Sequence, residues 1–134
     1  MELFLPVTMA SAAAAALINV WLSTRIAALR LRTKNFTGDG GDEAMIRRMR
    51  AHLNFAENTP LVLILLALVE AAGMTGVWLP WIAGLYILAR IGHGIGMDGG
   101  TLWWLRTIGT GITWITQLYL AGLAAGALVA YLGS

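Results

Sequence analysis

The sequence predicts an all-α membrane protein, a bundle of four transmembrane helices, and three observations predict it. Hydrophobic residues make up 58% of the 134-residue chain and charged residues only 12%, roughly half the charged share of a soluble domain. The apolar residues fall into four long blocks separated by glycine-rich or polar breaks. All nine basic residues then gather at one end of the up-and-down arrangement that those blocks imply. A membrane-spanning helix takes roughly 20 residues, so four spans and their connections occupy the chain as a single domain, residues 1–134.

The first block, residues 3–31, is rich in alanine, with Asn19 its one strongly polar interior residue before Arg25 and with Arg30 and Arg32 at its exit. It is read as a retained span, because no basic stretch precedes it as one would in a signal peptide. The loop TKNFTGDGGDEA follows, with glycines for turning and Asp42 and Glu43 placed to cap and charge the next helix. That second helix is expected over residues 44–72, with a bend at Pro60, which has no N–H to give to the helix. Residues 73–80 read as a short turn, 81–97 as the third span, 98–100 as a break and 102–132 as the fourth span.

Lesser polar and aromatic positions take structural readings. Trp78, Trp81, Trp103 and Trp104 lie near span ends and read as interfacial anchors. Asn19 and Gln117 read as interhelical hydrogen-bonding residues, and Glu70 as interfacial. The spacings in GHGIG (92–96) and GLAAG (122–126) suit close helix packing.

Arg25, Arg30, Arg32, Lys34, Arg47, Arg48 and Arg50 surround the first connection, and Arg90 and Arg106 the third; the second connection and both termini have none. The positive-inside rule therefore places the first and third connections in the cytoplasm and both termini on the opposite side. The absence of cysteine excludes disulfides, thiolate metal sites and a cysteine nucleophile. No zinc-binding, paired-carboxylate or serine–histidine–aspartate pattern is visible, so no metal is expected. Gly38 to Gly41 lacks the Lys and Ser/Thr of a phosphate loop. A net charge of only +2, with its basic residues beside apolar runs, argues against nucleic acid.

One stretch resists a purely topological reading. In RMRAHLNFAENTP, residues 48–60, Arg50, Asn54 and Glu57 fall within a helical sector of about 60°, with Arg47 close by and His52 on another side. Arg90 and His93 share a face of the third span, and Arg106 opens the fourth. Taken singly, each arginine reads as an anchor whose head snorkels to the interface. As a group, with Glu57 and Arg90 inside spans where ionisable groups are costly, they point to a polar pocket near the inner face. Arg30, Arg50, Arg90 and Arg106 against Glu57 leave surplus positive charge, suited to a small polyanion.

The pattern R-A-H-x-N-x-x-E-x-x-P from Arg50 to Pro60 resembles the signature of the MAPEG family, membrane proteins of eicosanoid and glutathione metabolism. RLRTKNF at the end of the first span and RIGH in the third resemble further family motifs, and Arg106 follows His93 by the thirteen residues found in prostaglandin-forming members. The resemblance covers essentially the whole chain. It implies a homotrimer binding glutathione between subunits, with Arg30, Arg50, Asn54, Glu57, Arg90 and His93 as ligands, Glu57 taking the ammonium. Arg106 would sit by the sulfur, with Thr107 where some members have serine and Arg30 as second candidate for the catalytic role.

There are two departures from the family pattern. Met97 stands where several members have tyrosine, which implies the loss of one contact to glutathione, and many animal members have one more residue between the glutamate and the proline, which points to a bacterial-type branch. With the orientation set by the basic residues, the expected location is a bacterial inner membrane with both termini periplasmic. The resulting expectation is a glutathione-dependent transferase or peroxidase for lipophilic electrophiles or hydroperoxides. The alternative is a non-catalytic lipid-binding or scaffold protein, since the family contains one. A small multidrug exporter is a third class, but its deep acidic residue is missing from the first span, whose one carboxylate is Glu2.

Overall fold

The computed structural model describes residues 4–134 and contains four long helices. They are α1 (Pro6–Thr33), α2 (Glu43–Ala71), α3 (Trp78–Gly96) and α4 (Trp104–Leu132), with one 3-10 turn, Gly100–Leu102, ahead of α4. There is no strand among the described residues. The expected first residue of α1, Leu3, lies outside the described residues.

Local chemistry explains the boundaries. Asp42 caps α2 as its position predicts, its Oδ1 accepting from the Ala44 N–H at 2.8 Å and the Met45 N–H at 3.3 Å. α1 runs two residues past the expected end, to Thr33, and stops where Lys34 takes the left-handed conformation at φ 55°. α2 continues unbroken through Pro60. α3 begins at Trp78, ahead of the expected residue 81, because Pro80 lies in the first helical turn, where a missing N–H costs nothing.

α1, α2 and the segment Gly100–Leu132 are long and apolar enough to cross a membrane. α3 is shorter, 19 residues, or about 28 Å, and carries Arg90 and His93. It hides both, at 1% and 3% exposure, by turning them into the bundle. The outer surface is correspondingly apolar, with Leu17, Leu31, Trp81, Ile115, Leu118 and Val129 all exposed. The chain is thus an integral, multi-pass membrane protein. Of the expected anchors, Trp81, Trp103 and Trp104 are exposed near helix ends, while Trp78 packs edge-on against Tyr119 with ring centroids 5.9 Å apart.

α3 packs most extensively on α4, and α1 on α2. One core joins Val62, Leu66, Val69, Leu79, Tyr86 and Leu120, and a second joins Ala15, Ile18, Leu22, Ala51 and Phe55. Gly94 admits Trp21 and Leu22, whereas Gly122 and Gly126 have nothing within 4 Å of an added Cβ, so the second glycine motif packs against nothing among the described residues.

Glu70 corrects its interfacial reading. It is 4% exposed, and its carboxylate accepts from the Val7 N–H (2.9 Å), the Thr8 N–H (2.9 Å) and the Thr8 hydroxyl (2.8 Å). α1 has no side-chain cap of its own, so α2 supplies one, matching a carboxylate to the positive end of the helix. At the opposite, basic end, Asp98 pairs with Arg25 and, at 3.4 Å, with Arg48. Arg25 also donates to the Gly94 carbonyl, and Arg48 to the Arg25 carbonyl, each at 3.0 Å. Several of the basic residues therefore tie the third connection to α1 and α2.

Candidate functional site

A groove of about 740 Å³ opens among α2, α3 and α4 toward the basic end. α2 contributes Arg50, Asn54 and Glu57, the sector that helical periodicity brings onto one face. α3 contributes His93, and Met97 follows it at the helix end. α4 contributes Arg106, Thr107, Thr110 and Trp114 from its first three turns.

The glycines between α3 and α4 make this approach possible. A Cβ on Gly109 would lie 2.7 Å from both the Ala89 carbonyl oxygen and the His93 Cβ. A Cβ on Gly96 would strike the backbone nitrogen of Arg106. With hydrogen at both positions, the helices touch backbone to backbone, and Arg106 comes beside the α3 terminus.

Six of the residues singled out from sequence, Arg50, Asn54, Glu57, His93, Arg106 and Thr107, therefore line one groove. The other two do not. Arg90 lies behind the wall, donating from Nη2 to Asn54 Oδ1 at 2.9 Å and from Nη1 to Thr113 Oγ1 at 3.1 Å, with its guanidinium 5.7 Å from the centre of the Phe55 ring. Arg30 lies on the other flank of α2, in a separate groove of about 520 Å³ shared with Ser23, Met49 and His52. It donates there to the Asn35 carbonyl at 3.3 Å and to Met49 Sδ at 3.8 Å. Leu53 borders both grooves, so α2 is the ridge between them.

The groove is electrically unbalanced. Arg47, Arg50 and Arg106 line it against the single carboxylate of Glu57. Among the described residues only Arg47 of these has an ion-pair partner, Glu43 at 2.9 Å. The buried His93 Nδ1 likewise has no protein hydrogen-bond partner. Donors, cations and one acceptor thus face a cavity of the size that holds a small, charged molecule.

The sequence profile of the MAPEG family matches residues 8–126. The chain belongs to that family. Among curated proteins, the inner membrane protein YecN of Escherichia coli K12 is 29% identical over 106 residues, covering 78% of this chain and 79% of its own. The protein of the same name from Escherichia coli O6:H1 matches to the same extent.

In this MAPEG chain the structure adds residues that sequence reading missed. Thr110 and Thr113 follow the expected Thr107 at every third position, a spacing that marks one helix face and could have revealed them. Thr113 is buried, donates to the Gly109 carbonyl at 2.8 Å and accepts from Arg90. Beyond the groove the polar track continues: Asn58 donates to the Asn54 carbonyl at 2.8 Å, and Gln117 to Asn58 Oδ1 at 3.0 Å. Gln117 thus makes the interhelical bond expected of it. So does Asn19, whose Oδ1 lies 2.9 Å from His52 Nε2.

Proposed function

We propose that the groove binds glutathione and that the protein is a glutathione-dependent transferase or peroxidase for lipophilic electrophiles or hydroperoxides entering from the bilayer. The observation that carries this reading is the convergence of Arg50, Arg106 and Glu57, without ion-pair partners among the described residues, with Asn54 and His93 in one groove. Glutathione has two carboxylates and one ammonium, so it complements arginines in excess over a single glutamate. Arg50 and the Asn54 amide would take carboxylate oxygens, and Glu57 the ammonium. His93, whose ring lines the groove while its Nδ1 stays buried, would complete the wall. Bound glutathione supplies the sulfur nucleophile, and the protein supplies position and field. Arg106 holds the thiolate by charge and hydrogen bonding and so raises its population at neutral pH.

Isothermal titration of glutathione into the detergent-solubilised protein tests the site. Saturable binding is expected, weakened at least tenfold by Arg50→Ala or Glu57→Ala, as loss of a charge-assisted hydrogen bond implies. Unaltered affinity in both variants, or no binding at millimolar glutathione, would return the arginines to topology anchors and favour the non-catalytic, lipid-binding reading.

The same reading places the protein in a bacterial inner membrane, with the basic end cytoplasmic, both termini periplasmic and three copies together. Glu57 lies fourteen residues into α2, about 21 Å along the helix, and it is exposed in the protomer. A carboxylate so placed in a bilayer requires cover. A neighbouring subunit would cover it and would present its own Arg30 from the opposite flank of α2. Light scattering in mild detergent should report a complex of three 14.4 kDa chains; a monomer would refute the assembly.

A further inference from the structure

Among the described residues, Arg90 is a buried cation without a counter-ion. It is 1% exposed, and none of the ion pairs among the described residues includes it. Its neighbours within hydrogen-bond reach are the neutral oxygens of Asn54 and Thr113, and its Nε has no partner. Burial of an unneutralised guanidinium is costly, and nothing in the packing alone requires it. What the guanidinium does accomplish is visible at Asn54. With Oδ1 held at 2.9 Å by Arg90 Nη2, a flip would set the amide NH2 against the guanidinium, and the Asn54 NH2 is left without a protein acceptor among the described residues. Asn54 lines the groove and Arg90 does not.

We infer that Arg90 is a positioning residue that acts through Asn54, with Thr113 as its brace, and turns this part of the groove into a donor-only wall. An unconstrained asparagine offers either an acceptor or a donor. Locked in this way, Asn54 offers only N–H, between Arg50 one turn before it and Glu57 one turn after it. The wall therefore selects a ligand group that accepts, a carboxylate or carbonyl oxygen, and disfavours an amine or other donor. The positive charge behind Asn54 strengthens that selection, because a hydrogen bond polarised by a charged neighbour is stronger in a low-dielectric setting. This assignment rests on the glutathione reading for the ligand's identity, but not for the state of the Asn54 amide. It also differs from the sequence expectation that Arg90 touches the ligand itself.

A double-mutant cycle in the full-length, detergent-solubilised protein separates the two roles. Glutathione affinity is measured for wild type, Asn54→Ala, Thr113→Val, Arg90→Met and the two double variants that combine Asn54→Ala with each of the others. Thr113→Val keeps the shape of the side chain and serves where Arg90→Met does not fold. If Arg90 acts through Asn54, Arg90→Met weakens binding about tenfold and Thr113→Val a few-fold, the expected cost of freeing one oriented hydrogen bond. Neither change then has a further effect once Asn54 is alanine. Losses that multiply in the double variants would show that Arg90 contacts the ligand directly and would overturn the inference.

Side-chain amide NMR of asparagine-labelled protein without ligand provides the independent reading. The Asn54 NH2 pair, identified by its disappearance in Asn54→Ala, should be resolved from those of exposed asparagines and should move toward them in Thr113→Val. An Asn54 signal indifferent to Thr113→Val and Arg90→Met would refute the positioning role. Failure of glutathione to bind wild-type protein, with the NMR response intact, would instead refute only the ligand.

Discussion

Arg106→Ala is expected to lower turnover at saturating glutathione by roughly 10²–10³-fold, the usual cost of removing one donor to a developing anion, while the Kd for glutathione stays within a few-fold. The asymmetry follows from where Arg106 sits. In the proposed site, binding would be distributed over Arg50, Asn54, Glu57 and His93, which line the groove from α2 and α3, whereas Arg106 stands alone in the first turn of α4. It is without an ion-pair partner among the described residues. α4 begins with no side-chain cap, so the positive end of its dipole adds to the guanidinium. A thiol passing to thiolate gains most from that field, and a neutral thiol gains little. The check is kcat and Kd measured separately, together with the pH dependence of thiolate ultraviolet absorbance in the bound complex. Arg106→Lys should retain part of the rate, since it keeps the charge and loses the planar fork. Unchanged turnover in Arg106→Ala would remove Arg106 from the mechanism, and collapse in Arg30→Ala under the same conditions would assign the role to Arg30 from a neighbouring subunit.

The division between the two arginines also shows what could and could not be read from the chain. Arg50, Asn54 and Glu57 lie on one face because helical periodicity is local, and the groove bears that out. Arg30 and Arg90 carry equally suggestive neighbours in sequence. Their placement depends instead on which side of α2 each adjoining helix packs, and no local pattern encodes that. Arg30 went to the α1 flank and Arg90 behind Asn54. Glu70 was misjudged for the same reason: the groups it binds are 63 and 62 residues away, at an α1 terminus that lacks its own cap. The four helices were legible because long apolar runs admit few alternatives. Their ends shifted by a few residues where one backbone preference decided the matter, the left-handed Lys34 or the tolerated Pro80.

Gly109→Ala should injure the fold and the site together. The added Cβ would meet the Ala89 carbonyl oxygen at 2.7 Å, the His93 Cβ at 2.7 Å and the His93 Cα at 3.2 Å, all backbone or backbone-fixed atoms that cannot swing aside. α3 and α4 must therefore separate. Overpacking of this kind costs about 1–3 kcal/mol, against which alanine's better helix propensity returns up to about 1 kcal/mol. The net effect is a lower unfolding temperature in detergent. The same separation moves His93 away from the α2 wall and stretches the 3.1 Å bond from Arg90 to Thr113, whose hydroxyl is itself anchored on the Gly109 carbonyl. Glutathione affinity should accordingly fall with stability, although residue 109 does not itself line the groove. Gly122→Ala, on the same helix with nothing within 4 Å of the new methyl, supplies the contrast and should be neutral or slightly stabilising. Equal losses in the two variants would mean that the α3–α4 contact is not what holds the groove closed. A loss confined to Gly109→Ala would show that the hydrogen at this position, more than any polar side chain, sets the distance at which the two halves of the site face each other.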